Sequence, residues 1–184
     1  MKMISRAQFL RGDWGGNKHV IHPPWALDGN RFTDTCDGCG DCVTACTQNI
    51  LRQSARGLPQ VDFLQGECTF CGDCAVACPT GAINRDKNKI EQAWQLTARI
   101  SEKCLAMNGT SCVRCIESCA VKAITARPGL RGRSHFHVNL ATCNGCGACY
   151  AACPVSAITI QPGKSPRAQG GKPRGEHNEP FMHQ

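Results

Sequence analysis

With 184 residues and only ten aromatic side chains, the chain has room for one ordinary domain or two small ones and too little apolar bulk for a large core. Its sixteen cysteines leave two broad classes, a disulfide scaffold or a metal protein. The formal charge of +7 counts every thiol as neutral, so it does not by itself establish a basic surface for nucleic acid.

In chain order, residues 1–29 read as an N-terminal arm. Lys2, Arg6 and Arg11 are followed by Gly12-Asp13-Trp14-Gly15-Gly16-Asn17-Lys18 rather than by an apolar segment with a small-residue cleavage site. The thiols are therefore expected to stay reduced in the cytoplasm, which sets disulfides aside.

Residues 30–89 read as a first domain. They carry Cys36-Asp-Gly-Cys39-Gly-Asp-Cys42-Val-Thr-Ala-Cys46 and Cys68-Thr-Phe-Cys71-Gly-Asp-Cys74-Ala-Val-Ala-Cys78-Pro79. Both match the C-x2-C-x2-C-x3-C run of bacterial ferredoxins, in which gaps of two residues wrap three thiolates onto one iron–sulfur cube and the fourth thiolate serves the neighbouring cube. Zinc sites favour two separated cysteine pairs instead. The crossing predicts one ligand set of Cys36, Cys39, Cys42 and Cys78, and another of Cys68, Cys71, Cys74 and Cys46. Gly38, Gly40, Gly72, Gly145 and Gly147 either bring backbone N–H groups to the sulfurs or serve only the turns.

Residues 90–103 read as a linker helix, because Ile90, Ala93, Trp94, Leu96, Thr97 and Ile100 recur at near-helical spacing. Residues 104–160 read as a second domain. It closes on a regular run, Cys143-Asn-Gly-Cys146-Gly-Ala-Cys149-Tyr-Ala-Ala-Cys153-Pro154, and opens on an irregular one. There Cys104 is followed by seven residues before Cys112, then Cys115 and Cys119. The predicted sets are Cys104, Cys112, Cys115 with Cys153, and Cys143, Cys146, Cys149 with Cys119. The longer loop allows three or four 4Fe–4S clusters in all. His135 and His137 alternate with Phe136 and Val138, the pattern of a half-buried strand, and are not read as ligands.

The uncharged stretch 138–163 is not a membrane span, since it contains four cysteines, Asn139, Asn144, Gly145, Gly147, Pro154 and Gln161. Residues 161–184, rich in Pro, Gly and charge, read as a disordered tail.

An internal repeat organises these motifs. The last cysteine of each is followed by a similar segment: Cys46-Thr-Gln-Asn-Ile50, Cys78-Pro-Thr-Gly-Ala-Ile83, Cys119-Ala-Val-Lys-Ala-Ile124 and Cys153-Pro-Val-Ser-Ala-Ile158. The expected fold class is α+β, with two tandem bacterial-ferredoxin-like domains, each a pseudo-twofold βαβ repeat stabilised by its clusters. A 4Fe–4S core on four thiolates carries about −2, so four would bring the chain to about −1 and leave no nucleic-acid reading. No phosphate loop, haem motif or nucleophile–base constellation is present, so the chain does not read as an enzyme.

Beyond the cysteines, Ser5-Arg6-Ala7-Gln8-Phe9-Leu10-Arg11, His22-Pro23-Pro24-Trp25, Phe32 and the run from Cys143 to Ile158 resemble the NapF family, the ferredoxin-type accessory proteins of periplasmic nitrate reductase systems. The resemblance implies a cytoplasmic protein that binds the precursor of the nitrate reductase catalytic subunit and assists its maturation by supplying electrons or a cluster. A second reading is an electron-transfer polyferredoxin with redox partner proteins of its own. Ala7 stands where a twin-arginine signal has its second arginine, so the arm is not expected to export the chain. Trp14 and Trp25 are either docking anchors or packing for the arm.

Overall fold

The structure, a computed structural model, describes residues 20–85 and 93–163. Trp14, the Ser5–Arg11 segment, residues 86–89 of the expected first domain, residues 90–92 of the expected linker and the tail from 164 lie outside the described residues.

Among the described residues, every α-helix after the first is a single turn because it begins and ends within a cysteine motif. After α1 (Asn30–Thr35), the first two cysteine loops lead into the single turns α2 (Asp41–Thr44) and α3 (Asp73–Val76). Each turn starts at a glycine in the left-handed region, Gly40 at φ 87° and Gly72 at φ 94°, with an aspartate in its first turn to meet the exposed N–H groups. Between them β1 (Leu51–Gln53) and β2 (Pro59–Val61) form an antiparallel hairpin with Leu51 opposite Val61. In the second half the order is β3 (Leu96–Ile100), a 3-10 turn at Ala106–Asn108, α4 (Arg114–Glu117), β4 (Ile124–Pro128), β5 (Ser134–Val138), α5 (Ala148–Ala152) and β6 (Ile158–Pro162). β4 and β5 make the inner hairpin, whereas β3 pairs antiparallel with β6, Ala98 opposite Ile160. The first half closes its ends in the same sense: Ala26 bridges Ile83, and the Leu27 N–H donates to the Ala82 carbonyl at 2.9 Å.

Three expectations change. Leu96–Ile100 is a strand, not part of a linker helix. Leu96, Thr97 and Ala98 are buried in succession, and their ladder partner stands some sixty residues later, where helical periodicity cannot register it. The second unit therefore starts ahead of residue 104 and the first ahead of residue 30. Gln161 and Pro162 continue β6 opposite Thr97 and Leu96, and the Gly163 N–H donates to the Gln95 carbonyl at 3.0 Å, so the chain is still structured at 163. β5 does alternate as expected, with His135 and His137 exposed and Phe136 and Val138 turned inward.

The repeat has a conformational basis. The third residue after each closing cysteine, Asn49, Gly81, Lys122 and Ser156, has a positive φ between 49° and 70°. This turn drops the following pair into the core: Ile50 with Leu51, Ala82 with Ile83, Ala123 with Ile124 and Ala157 with Ile158, none more than 3% exposed.

The two units meet on an aromatic seam. The Phe63 ring lies 5.7 Å from that of Trp94 and 6.5 Å from that of Tyr150, and Phe70 adds a further edge-on contact with Trp94 at 5.9 Å. Gly147 has φ 88° and faces Phe63 so closely that a β-carbon there would overlap the ring. Across the same seam the Cys68 N–H donates to the Cys146 carbonyl at 2.8 Å.

His22 packs 4.5 Å from Phe32, with its Nδ1 buried and unpaired. Burial lowers its pKa, against a hydrogen bond to the Pro59 backbone that raises it. The folded state thus favours the neutral ring, a contribution present above the unfolded value of about 6.5 and lost as pH falls from there through the lowered folded value. Urea unfolding of His22→Gln is expected to weaken less between about pH 7 and pH 5 than the wild type does. An equal loss in both would refute the assignment.

Candidate iron–sulfur centres

All sixteen cysteines are free thiols, and the fold gathers them in fours. Cys46, Cys68, Cys71 and Cys74 line one cavity beside Trp25 and Phe70. Cys104, Cys112, Cys115 and Cys153 line a second beside Phe136 and Ile158. Cys119, Cys143, Cys146 and Cys149 line a third beside Ile124 and Ile160. The remaining four are also neighbours, since Cys42 lies within electrostatic reach of Cys36, Cys39 and Cys78. In every set three thiols come from one loop and the fourth from the partner loop, which is the crossing read from the spacing. Cys104 stands with the other three of its set despite the longer loop.

The donor chemistry fits an iron–sulfur cluster. Among the described residues no three His, Cys, Asp or Glu side chains converge as ligands of a single ion. The thiols instead ring an apolar hollow, which suits a polynuclear core of soft-ligand metal. Burial, reinforced by neighbouring cysteines of the same set, pushes Cys42 and Cys115 up to about 11 and Cys74 and Cys149 up to about 12. Burial likewise lifts Cys68 to about 11, against an N–H from Phe70. Such thiols ionise near neutral pH only beside a compensating cation, which an iron core supplies. Burial also raises Cys78, but N–H groups of Ile83, Thr80 and Ala82 and the Thr80 hydroxyl outweigh it and leave Cys78 lowered. At Cys39 an N–H from Asp41 lowers the thiol, while desolvation and the Asp37 and Asp41 carboxylates leave it raised on balance.

Hydrogen bonds to sulfur come from the N–H groups of Phe70 on Cys68, Ile83 on Cys78, Ala123 on Cys119 and Ala157 on Cys153, at 3.2 to 3.4 Å. The loop glycines serve the turns: Gly38, Gly40, Gly72, Gly145 and Gly147 all have φ between 73° and 94°.

Taking the sets in the order of their loops, their spatial order is first, second, fourth, third. Cys74 of the second feels Cys42 of the first; Cys68 of the second bonds Cys146 of the fourth; Cys149 of the fourth feels Cys115 of the third. Cys39 and Cys71, in the first and second sets, are the two exposed cysteines. Trp25 packs against the core and lines the second cavity.

The family model described as a 4Fe–4S dicluster domain matches residues 35–82 and again 103–157, one match per pair of thiol sets. The chain is 43% identical over 143 residues to the ferredoxin-type protein NapF of Escherichia coli, covering 78% of this chain and 85% of that one. It belongs to the NapF family. The NapF protein of Haemophilus influenzae is 38% identical over 155 residues, covering 78% and 86% of the two chains. The ferredoxin-type protein NapG of Escherichia coli is more distant, 32% identical over 145 residues, covering 69% and 63%. This NapF-family member is accordingly an iron–sulfur protein of the 4Fe–4S ferredoxin type. No helix among the described residues is long and apolar enough to cross a membrane.

The sequence reading overlooked a further group of site residues. Each cysteine loop has a carbonyl held by a side-chain N–H, in three loops from outside the run of thiols: Gln53 on Gly38 at 2.8 Å, Arg85 on Cys71 at 3.0 Å and Trp94 on Asn144 at 3.0 Å, and in the third loop from within it, Asn108 on Cys104 at 2.9 Å. Wrapping around a cube leaves loop carbonyls without a ladder partner, and these donors satisfy them. Gln53 and Arg85 occupy the same place in the repeat, the seventh residue after Cys46 and Cys78, which is the signal that could have found them. In the second unit that place holds Ala126 and Ile160, both on paired strands, and the donors come from elsewhere.

Proposed function

We propose that the chain is a non-enzymatic ferredoxin of two bacterial-ferredoxin-like units carrying four 4Fe–4S clusters on the four thiol sets. In this reading it acts in the cytoplasm on the precursor of the periplasmic nitrate reductase catalytic subunit, supplying electrons or a cluster before export. The observation that carries it is the set of four complete four-thiol sites in a chain of the NapF family. Two sets are solvent-open, the first at Cys39 and the second at Cys71, which suits exchange with a partner protein. The continuous row of sets also supports the second reading, a polyferredoxin that feeds electrons to an oxidoreductase.

After anaerobic purification the chain is expected to hold about 16 iron and about 16 acid-labile sulfide, with Cys104→Ala falling to about 12 of each. About 12 in both would leave three clusters and an empty third set. A tagged chain that captures only the cofactor-poor cytoplasmic precursor supports maturation, whereas stoichiometric capture of the mature enzyme supports the electron-feeding role. Capture of neither form removes nitrate reductase as the partner.

A further inference from the structure

The four loop-carbonyl donors do the same mechanical task with different chemistry. Gln53 and Asn108 offer neutral amides and Trp94 a neutral indole, whereas Arg85 brings a full positive charge. That charge is held in place from three sides. Its Nη1 donates to the Cys71 carbonyl at 3.0 Å, and its guanidinium carbon sits 4.8 Å above the centre of the Trp25 ring. It also covers Gly72, where a β-carbon would come within 2.5 Å of Nη1. Cys71, Gly72 and Trp25, which it contacts, all line the cavity of the second thiol set, so the guanidinium sits directly behind the lining of that site. An arginine is suited to this because its planar group can stack on the indole and still donate in its own plane.

The first set has more acidic surroundings. Its loop is held by neutral Gln53, and its exposed Cys39 lies within reach of two carboxylates, Asp37 and Asp41, whereas the second loop pairs Arg85 with the single aspartate of its turn, Asp73. Reduction adds one negative charge, so a fixed cation favours the reduced state and nearby carboxylates oppose it. Side chains around a cluster are established levers on its potential.

We propose that Arg85 is a positioning residue that raises the reduction potential of the second centre above that of the first, an inference that rests on these sets holding 4Fe–4S clusters. The redox step is the transfer of one electron from an external one-electron reductant, taking the centre from the 2+ to the 1+ level with no bond or proton exchanged. An electron entering at the exposed first set then settles on the second. That set touches the fourth through Cys68 and Cys146, so the charge asymmetry directs electrons toward the joint between the units.

The test is an anaerobic redox titration of the full-length holoprotein monitored by EPR, on wild type, Arg85→Gln and Arg85→Lys, with iron and sulfide measured on each sample. Arg85→Gln is expected to move one reducible component to lower potential with iron unchanged, and Arg85→Lys is expected to restore most of the shift. The shift should shrink at high salt, because Arg85 is solvent-exposed. An Arg85→Gln protein with full iron and a wild-type titration overturns the proposal. So does loss of iron in both variants, which would make Arg85 a structural latch alone. Iron that does not fall in Cys71→Ala refutes the cluster reading of the second set itself, and the Arg85 proposal with it.

Discussion

Stripping the iron with a chelator under reducing conditions is expected to remove most of the native circular dichroism of the chain, with restoration on anaerobic cluster reconstitution. The reason lies in how little the polypeptide can do unaided. Helices α2, α3 and α4 are four residues long and α5 five, each a single turn, far below the length at which a helix persists in water. Among the described residues each sheet has only two strands, which is marginal on its own. The core itself is built partly from cysteine: Cys42, Cys68 and Cys74 belong to one buried cluster, Cys115 and Cys149 to another, and Cys104 to a third. Without iron these side chains surround hollows, and the four-thiol ties that cross between the two loops of a unit are lost, leaving only the small apolar clusters to join them. Structural zinc in small domains contributes on the order of 10 kcal/mol, as much as the whole stability of a typical domain, and clusters tied by four thiolates act in the same way. An iron-free chain that kept a native-like spectrum and a cooperative unfolding transition would show that the polypeptide packs without its clusters.

The second large effect is expected at Phe63, which is 4% exposed between Trp94 and Tyr150. Truncating a buried phenylalanine typically costs about 3–5 kcal/mol through lost burial and the cavity left behind. Here the cavity would open on the seam, so Phe63→Ala should separate the units as well as destabilise them. The expected result is a single denaturant transition in wild type that splits into two in the variant, followed by the visible absorbance of the clusters and by tryptophan fluorescence. The neighbouring Leu64 is 64% exposed and serves as the control, with Leu64→Ala expected within about 0.5 kcal/mol of wild type. A Phe63→Ala protein that unfolds in one step at the wild-type midpoint would mean that the seam does not couple the units.

The same seam explains Gly147. Its φ of 88° favours glycine, and the Phe63 ring occupies the space where a side chain would stand. The sequence offers both glycine and ring but no sign that they meet, because they come from different units. Trp94 is a similar case. It falls on a helical period when read in sequence, yet its indole N–H reaches the Asn144 carbonyl at 3.0 Å, fifty residues away, as part of the joint.

What the sequence determined by itself is the local chemistry. Gaps of two residues can close only a tight loop, so the grouping of three thiols in the regular loops, the crossing fourth thiol and the turn after each closing cysteine follow from short-range geometry and repeat through the chain. The alternation that gives β5 is likewise local. Tertiary structure decided what depends on partners distant in sequence. It made Leu96–Ile100 a strand, because β6 provides the ladder. It set the row of thiol sets as first, second, fourth, third, because the second loop packs against the fourth. It also placed the Arg85 guanidinium against Cys71 and Trp25, which line the second set, where charge acts through space on a neighbour that chain order does not identify.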